Sequence, residues 1–224
     1  MQITRLKLKN WRNFRHLDIP LSNRTYIIGA NASGKSNLLD VFRFLRDVSK
    51  PSGGGLQKAV ADRYGITKLR CLQARKDTEV RVDLSLATEP GAESIWQYIL
   101  GFKGYGSQGV ILTEERVLKN GQDVIAQRPD SEDKGDELRL TQTALEQINA
   151  NRDFRELVDF FHSTTYLHLI PQLLKHAEIS GKILESDPFG QGFLQRIAKT
   201  PARTRAAWLR RIQQSLEQAV PQFS

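Results

Sequence analysis

The amino-acid sequence predicts an α/β fold arranged around a phosphate-binding turn. Three observations predict it. Gly29-Ala30-Asn31-Ala32-Ser33-Gly34-Lys35-Ser36 fits G-x-x-x-x-G-K-[ST], the P-loop pattern. The run Thr25-Tyr26-Ile27-Ile28 before it is β-branched and aromatic, as a buried strand requires. After it, Leu38, Val41, Phe42, Leu45 and Val48 recur at helical spacing. Strand, glycine turn and helix thus come in the order a phosphate cradle needs. Backbone N–H groups and the positive end of a helix would face a triphosphate. Lys35 is the expected partner of the β- and γ-phosphates, and the Ser36 hydroxyl the expected Mg²⁺ ligand. The competing reading is a chance glycine turn, against which the flanking strand and helix argue.

The remaining elements follow in order. Residues 2–9 alternate as a strand with lysines on its wet face. Asn10-Trp11-Arg12-Asn13-Phe14 interrupts the alternation, Arg15 to Ile19 resumes it, and Pro20 stops it, giving a hairpin-like pair. Pro51-Ser52-Gly53-Gly54-Gly55 reads as a flexible turn, with one helical turn from Leu56 to Val60 beyond it. Residues 66–126 read as β-rich. Val80 to Leu86 alternates, 95–102 and 110–118 are further strands, and Asn120-Gly121 is a hairpin turn. The charged stretch 127–140, bounded by Pro129 and Gly135, reads as a mobile surface loop.

A helix is expected from Thr141, with Leu145 and Ile148 on one face, and a second through Phe154, Leu157, Val158 and Phe161. Thr165 to Ile170 reads as an apolar strand ending at Pro171-Gln172. Thr200-Pro201 reads as a helix start, Thr as N-cap and Pro in the first turn. Leu209, Ile212, Leu216 and Val220 form its apolar stripe.

Composition narrows the function classes. The net charge is +8, from 33 Lys and Arg against 25 Asp and Glu, which favours acidic partners such as nucleic acid. Arg203, Arg205, Arg210 and Arg211 could meet phosphates or a partner, though a solvated helix face is the plainer reading. A single cysteine, Cys71, excludes an internal disulfide framework and suits a reducing compartment. Four scattered histidines give no metal-ligand spacing. No apolar run reaches the ~20 residues of a membrane span, and no signal-peptide core opens the chain. A cytoplasmic protein without membrane partners is the expectation.

Asn10-Trp11-Arg12-Asn13-Phe14, followed by a strand and then Gly29-Ala30-Asn31-Ala32-Ser33-Gly34-Lys35-Ser36-Asn37-Leu38-Leu39-Asp40, resembles the opening of the ABC-type ATPase heads of the SMC, RecF and OLD-like families. The resemblance implies a P-loop NTPase fold of ABC-head type, with a mixed sheet around the P-loop strand and helix and an antiparallel β-meander as subdomain. It implies ATP and Mg²⁺ as cofactors. It also implies nucleotide contacts from Arg12 and Asn13 and from Gly29, Ala30, Asn31, Ala32, Ser33, Gly34, Lys35, Ser36 and Asn37. By itself Arg12 reads equally well as a solvated hairpin charge. Tyr166 to Gln172 resembles the family's Q-loop, whose glutamine touches Mg²⁺ or the attacking water. Gln172 is therefore a candidate metal and catalytic residue beside Lys35, its plainer reading being a polar residue in a strand-to-helix turn.

Two further matches are set aside. Ser52-Gly53-Gly54 has the letters of the family's signature but follows directly on the P-loop helix, where a linker explains it better. Val110 to Glu115 is an apolar run ending in acids, but Thr113 intervenes and a hairpin turn follows. Glu114 and Glu115 therefore read as strand-end surface charges.

The resemblance implies a nucleotide-binding lobe over 1–175, with the β-subdomain at 66–126, and the beginning of a helical lobe over 176–224. The signature and Walker B of the head's C-terminal half are not matched in this sequence. The expected function is the ATP-binding lobe of an ATPase whose heads dimerise around ATP, in DNA repair, chromosome handling or phage defence. Turnover would need groups supplied by a longer chain or a partner protein. The alternative is a nucleotide-sensing module that assembles with a partner without turnover. A P-loop kinase or GTPase fits poorly, since no Asn-Lys-x-Asp is present.

Overall fold

Alternation along the first strand sets the sheet. The computed structural model describes residues 1–89, 91–106, 109–168, 170, 172, 189 and 192–220. Strand β1 (Gln2–Trp11) buries Leu6, Leu8 and Trp11 on one face. It pairs on one edge with β2 (Phe14–Pro20) and on the other with β3 (Val80–Ala87). Then follow β4 (Trp96–Tyr105), β5 (Gly109–Lys119) and the short β6 (Gln122–Asp123). The order is β2-β1-β3-β4-β5-β6, with every neighbouring pair antiparallel. Asn120 and Gly121, both at positive φ (51° and 78°), make the tight turn into β6 that their sequence predicts.

Helix α1 (Lys35–Val48) lies on this sheet through Leu38, Val41, Phe44, Leu45 and Val48. Phe44, rather than the expected Phe42, completes the buried stripe, because it stands three residues past Val41 and four before Val48. Its ring meets Trp11 edge-on at 5.1 Å and stacks on Phe102 at 5.6 Å. Such pairs contribute about 0.5–1.5 kcal/mol beyond their buried area. Two short helices follow, α2 (Leu56–Ala61) and α3 (Ile66–Leu69). The Glu146 carboxylate accepts from the Leu56 N–H (3.3 Å) and the Thr143 N–H (2.7 Å), closing the start of α2 from another part of the chain. Gly55 has φ 95°, and a Cβ there would lie 1.9 Å from that carboxylate.

The chain divides into two compact units, Met1–Thr164 and Thr165–Ser224. The first ends with α5 (Arg155–His162), which buries Leu157, Val158 and Phe161. The second contains α6 (Phe193–Lys199) and α7 (Ala202–Ala219). The α7 start falls one residue later than expected, with Pro201 as N-cap. Leu209, Ile212 and Val220 of the expected stripe are exposed. Of the expected helical lobe over 176–224, residues 176–188, Gly190, Gln191 and 221–224 lie outside the described residues.

Further expectations are corrected. Thr25 to Ile28 is no strand: Tyr26 is 83% exposed and Ile28 94%. An extended run needs neighbours to take its backbone groups, and no strand among the described residues pairs with it. Residues 165–168 likewise carry no strand, and Leu169 and Pro171 lie outside the described residues. Residues 141–151 form turns rather than a helix; Leu145 is buried and Ile148 exposed.

The stretch 127–140 is no solvated loop. It holds α4 (Ser131–Gly135) and a 3-10 turn (Glu137–Thr141) around a buried ion network. Arg128 forks onto Asp133 through Nε and Nη2, each at 3.0 Å, and reaches Glu115 through Nη1 at 3.1 Å. Glu115 also accepts from the Tyr98 hydroxyl at 3.1 Å and the Ala144 N–H at 2.8 Å, and it is 0% exposed. The surface reading of Glu115 is therefore wrong. Burial raises its carboxyl pKa, against the pull of the Ala144 N–H and Arg128. Burial works in the same direction on Asp133, but bonds from Arg128, the Asp130 N–H and Arg139 together hold it below its ordinary value. The sequence showed only alternating charges; the partners come from separate elements.

Removing one member of such a network strands the other charges. Arg128→Met is expected to cost about 3–5 kcal/mol, a fall of roughly 10 °C in Tm at about 2–4 °C per kcal/mol. Arg116→Met, which breaks an exposed pair with Asp123, is expected to cost about 1 kcal/mol or less. Thermal melts followed by circular dichroism distinguish the two. Equal shifts would refute the assignment of Arg128 to a buried network.

Candidate nucleotide-binding site

The site begins where β1 ends. Asn10 and Arg12 adopt left-handed backbone conformations, with φ 54° and 49°. Asn10 is held there by its buried side chain, whose Nδ2 donates to Asp77 O (3.0 Å) and Glu79 O (2.8 Å). The kink turns the next three side chains onto the start of α1. The Trp11 indole Nε1 donates to Asn37 O at 2.8 Å. Asn13 Nδ2 donates to Ser33 O at 3.3 Å, and Asn13 Oδ1 accepts from Asn37 Nδ2 at 2.8 Å. Arg12 donates from Nε and Nη2 to Asp40 Oδ2 at 3.1 and 2.7 Å.

The glycine turn is shaped by the same contact. Gly34, the N-cap of α1, has φ 102° and ψ 8°. A Cβ at this position would sit 2.2 Å from Asn13 Nδ2. Glycine is therefore required twice, for the left-handed backbone and for the close approach of Asn13. Ala32 also stands at positive φ (63°), and the Ser33 N–H closes the turn onto Ala30 O at 3.3 Å.

This turn leaves α1 prepared for an anion. No side chain caps its N-terminus and no acid stands in its first turn. The first intrahelical bond runs from the Leu38 N–H to Gly34 O at 2.9 Å. The N–H groups of Lys35, Ser36 and Asn37 thus lack intrahelical acceptors. The Lys35 ammonium folds across the loop onto Gly29 O (2.8 Å) and Ala30 O (2.7 Å). Gly29, Ala30, Asn31, Ala32 and Ser33 are exposed, as is Ser36, so the cradle is open to solvent. Uncapped amides, a helix start, one lysine and an accessible serine hydroxyl are the donor set a magnesium-bound polyphosphate requires. Beside it lies a cleft of about 430 Å³ lined by Arg12, Asn13 and Asn37 on one side and Lys68, Arg70 and Leu72 on the other.

Of the candidate residues, Arg12, Asn13 and Gly29 through Asn37 come together here. Arg12 is committed to Asp40, which Arg63 also holds at 3.0 Å. It lines the cleft as part of that cluster rather than as an extended arm. Gln172 belongs to the second unit, where its side chain is exposed. Sequence reasoning missed Asp40, which anchors Arg12, and the cleft wall from Lys68 to Leu72. Asp40 closes the run that resembles the family opening, but nothing in the sequence paired it with Arg12.

Residues 24–222 match the family described as "AAA domain, putative AbiEii toxin, Type IV TA system". The DNA replication and repair protein RecF of Agathobacter rectalis is 35% identical over 89 residues, 38% of this chain and 24% of that protein. Endonuclease GajA of Bacillus cereus is 43% identical over 47 residues, 21% of this chain and 8% of that protein. The match thus spans a quarter or less of each relative's length. A solved structure from work on ATP-driven dimerization and DNA-stimulated activation of SMC ATPases covers 94% of the chain and 98% of its own at 17% identity, with a TM-score of 0.37.

Gly34→Ala must strain the backbone and displace Asn13. It is expected to weaken binding of a fluorescent ATP analogue at least tenfold, about 1.4 kcal/mol. Asn13→Ala removes two hydrogen bonds of about 0.5–1.5 kcal/mol each and is expected to weaken it several-fold. Unchanged titrations for both variants would show that the Asn13–Gly34 contact does not shape the site.

Proposed function

Because the chain belongs to the AAA-domain family of the SMC/RecF/OLD-like ATPase group, we propose that it is the MgATP-binding lobe of a head that closes on nucleotide and acts on DNA. The observation that carries this reading is the cradle itself: an uncapped α1 start set by Gly34 on Asn13, with Lys35 across its mouth. In this reading the amides of Lys35 to Asn37 and the Lys35 ammonium take the β- and γ-phosphates, and the Ser36 hydroxyl holds Mg²⁺. Bound Mg²⁺ would neutralise phosphate charge. The cleft between Arg12 and Lys68 takes the rest of the nucleotide. In this reading the heads dimerise around the nucleotide and the protein works in DNA repair or phage defence, as the family resemblance implies. The names of RecF and GajA, one a replication and repair protein and one an endonuclease, support the link to DNA. The absence of any helix among the described residues long and apolar enough to cross a membrane is compatible with a cytoplasmic protein.

A second reading, a nucleotide-sensing module that assembles without turnover, is favoured by one observation. The two carboxylates that follow an apolar run, Glu114 and Glu115, are committed to Arg81 and to Arg128. Neither is free to activate a water for hydrolysis.

Lys35→Ala is expected to weaken ATP-analogue binding by tenfold or more, and chelation of Mg²⁺ to weaken it in the unaltered chain. Phosphate release from the chain alone is expected to stay near background. Fluorescence titration and a phosphate-release assay check these outcomes. Tight binding by the Lys35→Ala chain would refute the nucleotide site. Sustained turnover lost on Lys35→Ala would show the chain catalytically complete.

A further inference from the structure

Behind the hairpin tip lies a second cleft, of about 240 Å³, which the nucleotide site does not use. It is lined by Lys9, Arg15, His16, Arg75, Lys76 and Asp77, with Gln73 shared between it and the nucleotide-side cleft. Four full cations thus face one carboxylate. Lys9 is occupied by carboxylates, bridging Asp77 at 2.6 Å and Glu79 at 2.9 Å, which leaves Arg15, Arg75 and Lys76 as the cations open to a ligand. Arg15, Arg75 and Lys76 are exposed.

The cleft is built by Asn10, which is almost fully buried. Its backbone carbonyl accepts from the Cys71 N–H at 2.9 Å, and its side-chain amide donates to Asp77 O at 3.0 Å. One residue therefore pins both ends of the segment 71–77. Ala74 turns inward and is buried, which leaves Arg75 and Lys76 on the outside. Arg75 and Lys76 on the pinned loop, with Arg15 on β2 beside them, present a positive surface to solvent.

We propose that this cleft holds successive phosphates of a DNA strand, with Arg15, Arg75 and Lys76 as the contacts. The choice of DNA over other polyanions rests on the function proposed above. The size of the cleft points the same way. It falls below the roughly 300–1,000 Å³ of pockets that enclose a small-molecule ligand. It therefore suits backbone groups passing through rather than a whole nucleotide. Contacts of this kind position a strand without reading its sequence. Because the two clefts meet at Gln73 and are lined by neighbouring residues of one hairpin tip, Asn10 in one and Arg12 and Asn13 in the other, the strand would run beside the nucleotide.

The test is fluorescence anisotropy of short labelled oligonucleotides, single- and double-stranded, with the 224-residue chain across a salt series. The triple variant Arg15→Ala, Arg75→Ala, Lys76→Ala is expected to bind at least tenfold more weakly at low salt. Its log–log salt slope is expected to fall by about 2–3, close to one for each phosphate no longer neutralised. The matching variant of helix α7, Arg203→Ala, Arg210→Ala, Arg211→Ala, removes the same charge elsewhere and is expected to leave most of the affinity. Binding of the ATP analogue is read separately and is expected to be unchanged by the cleft variant, so failure here is distinct from failure of the nucleotide site. Arg75→Gln and Lys76→Gln singly, each lowering the slope by about one, decide the matter should the triple variant melt early. Equal affinity and slope for the cleft variant and the unaltered chain overturn the proposal. So does loss of binding through the α7 variant alone, or an unaltered chain that binds no oligonucleotide at low salt.

Discussion

The structure depends on the meeting of the β1 end with the start of α1. Trp11, Arg12 and Asn13 are consecutive, yet each grips a different part of the helix: its Asn37 carbonyl, its Asp40 carboxylate and its Gly34 cap. The left-handed kinks at Asn10 and Arg12 make this possible. An ordinary strand would send alternate side chains to opposite faces. Left-handed backbone is costly for residues other than glycine and persists only where the surroundings hold it. Here the Asn10 amide and the Arg12 N–H, bonded to Leu69 O at 2.7 Å, do the holding. The phosphate loop is thus shaped from outside itself, by a hairpin tip distant in sequence.

Charge then secures the fold at two places by the same device. Near α1, Arg63 is almost fully buried. It bridges Asp40 and Asp47 and lies 5.2 Å above the Phe44 ring. At β5, Arg128 bridges Glu115 and Asp133. In each case a planar guanidinium collects carboxylates and carbonyls that separate segments bring to it. Such clusters cost desolvation and depend on full satisfaction by hydrogen bonds. The Arg63 cluster also ties the nucleotide side to the core, since Asp40 is shared with Arg12.

Much of the architecture was legible, and the failures share a cause. The P-loop, its helix, the β-meander and the Asn-Gly turn carry local signals: glycine spacing, apolar periodicity and turn chemistry. Stretches whose state depends on distant neighbours were misread. Thr25 to Ile28 has the composition of a buried strand but no neighbour among the described residues to pair with. Residues 127–140 have the composition of a solvated loop but enclose Arg128 and Asp133. Phe42 and Phe44 could each extend the helical stripe, and only the position of Trp11 and Phe102 selects Phe44.

The sequence by itself determined the candidate phosphate cradle: Gly29 to Ser36, with a lysine and a hydroxyl at the places the P-loop pattern requires. It also carried the β-rich character of 80–119, through the alternation from Val80 to Leu86 and the apolar runs at 95–102 and 110–118 bounded by turn residues. Only the tertiary structure decided what surrounds the cradle. That Gly34 rests on Asn13, that Arg12 is held by Asp40, and that Asn10 pins a basic loop to the same tip are contacts between residues far apart in the chain. No local periodicity encodes them, since each depends on the close approach of backbones that the folded core brings together.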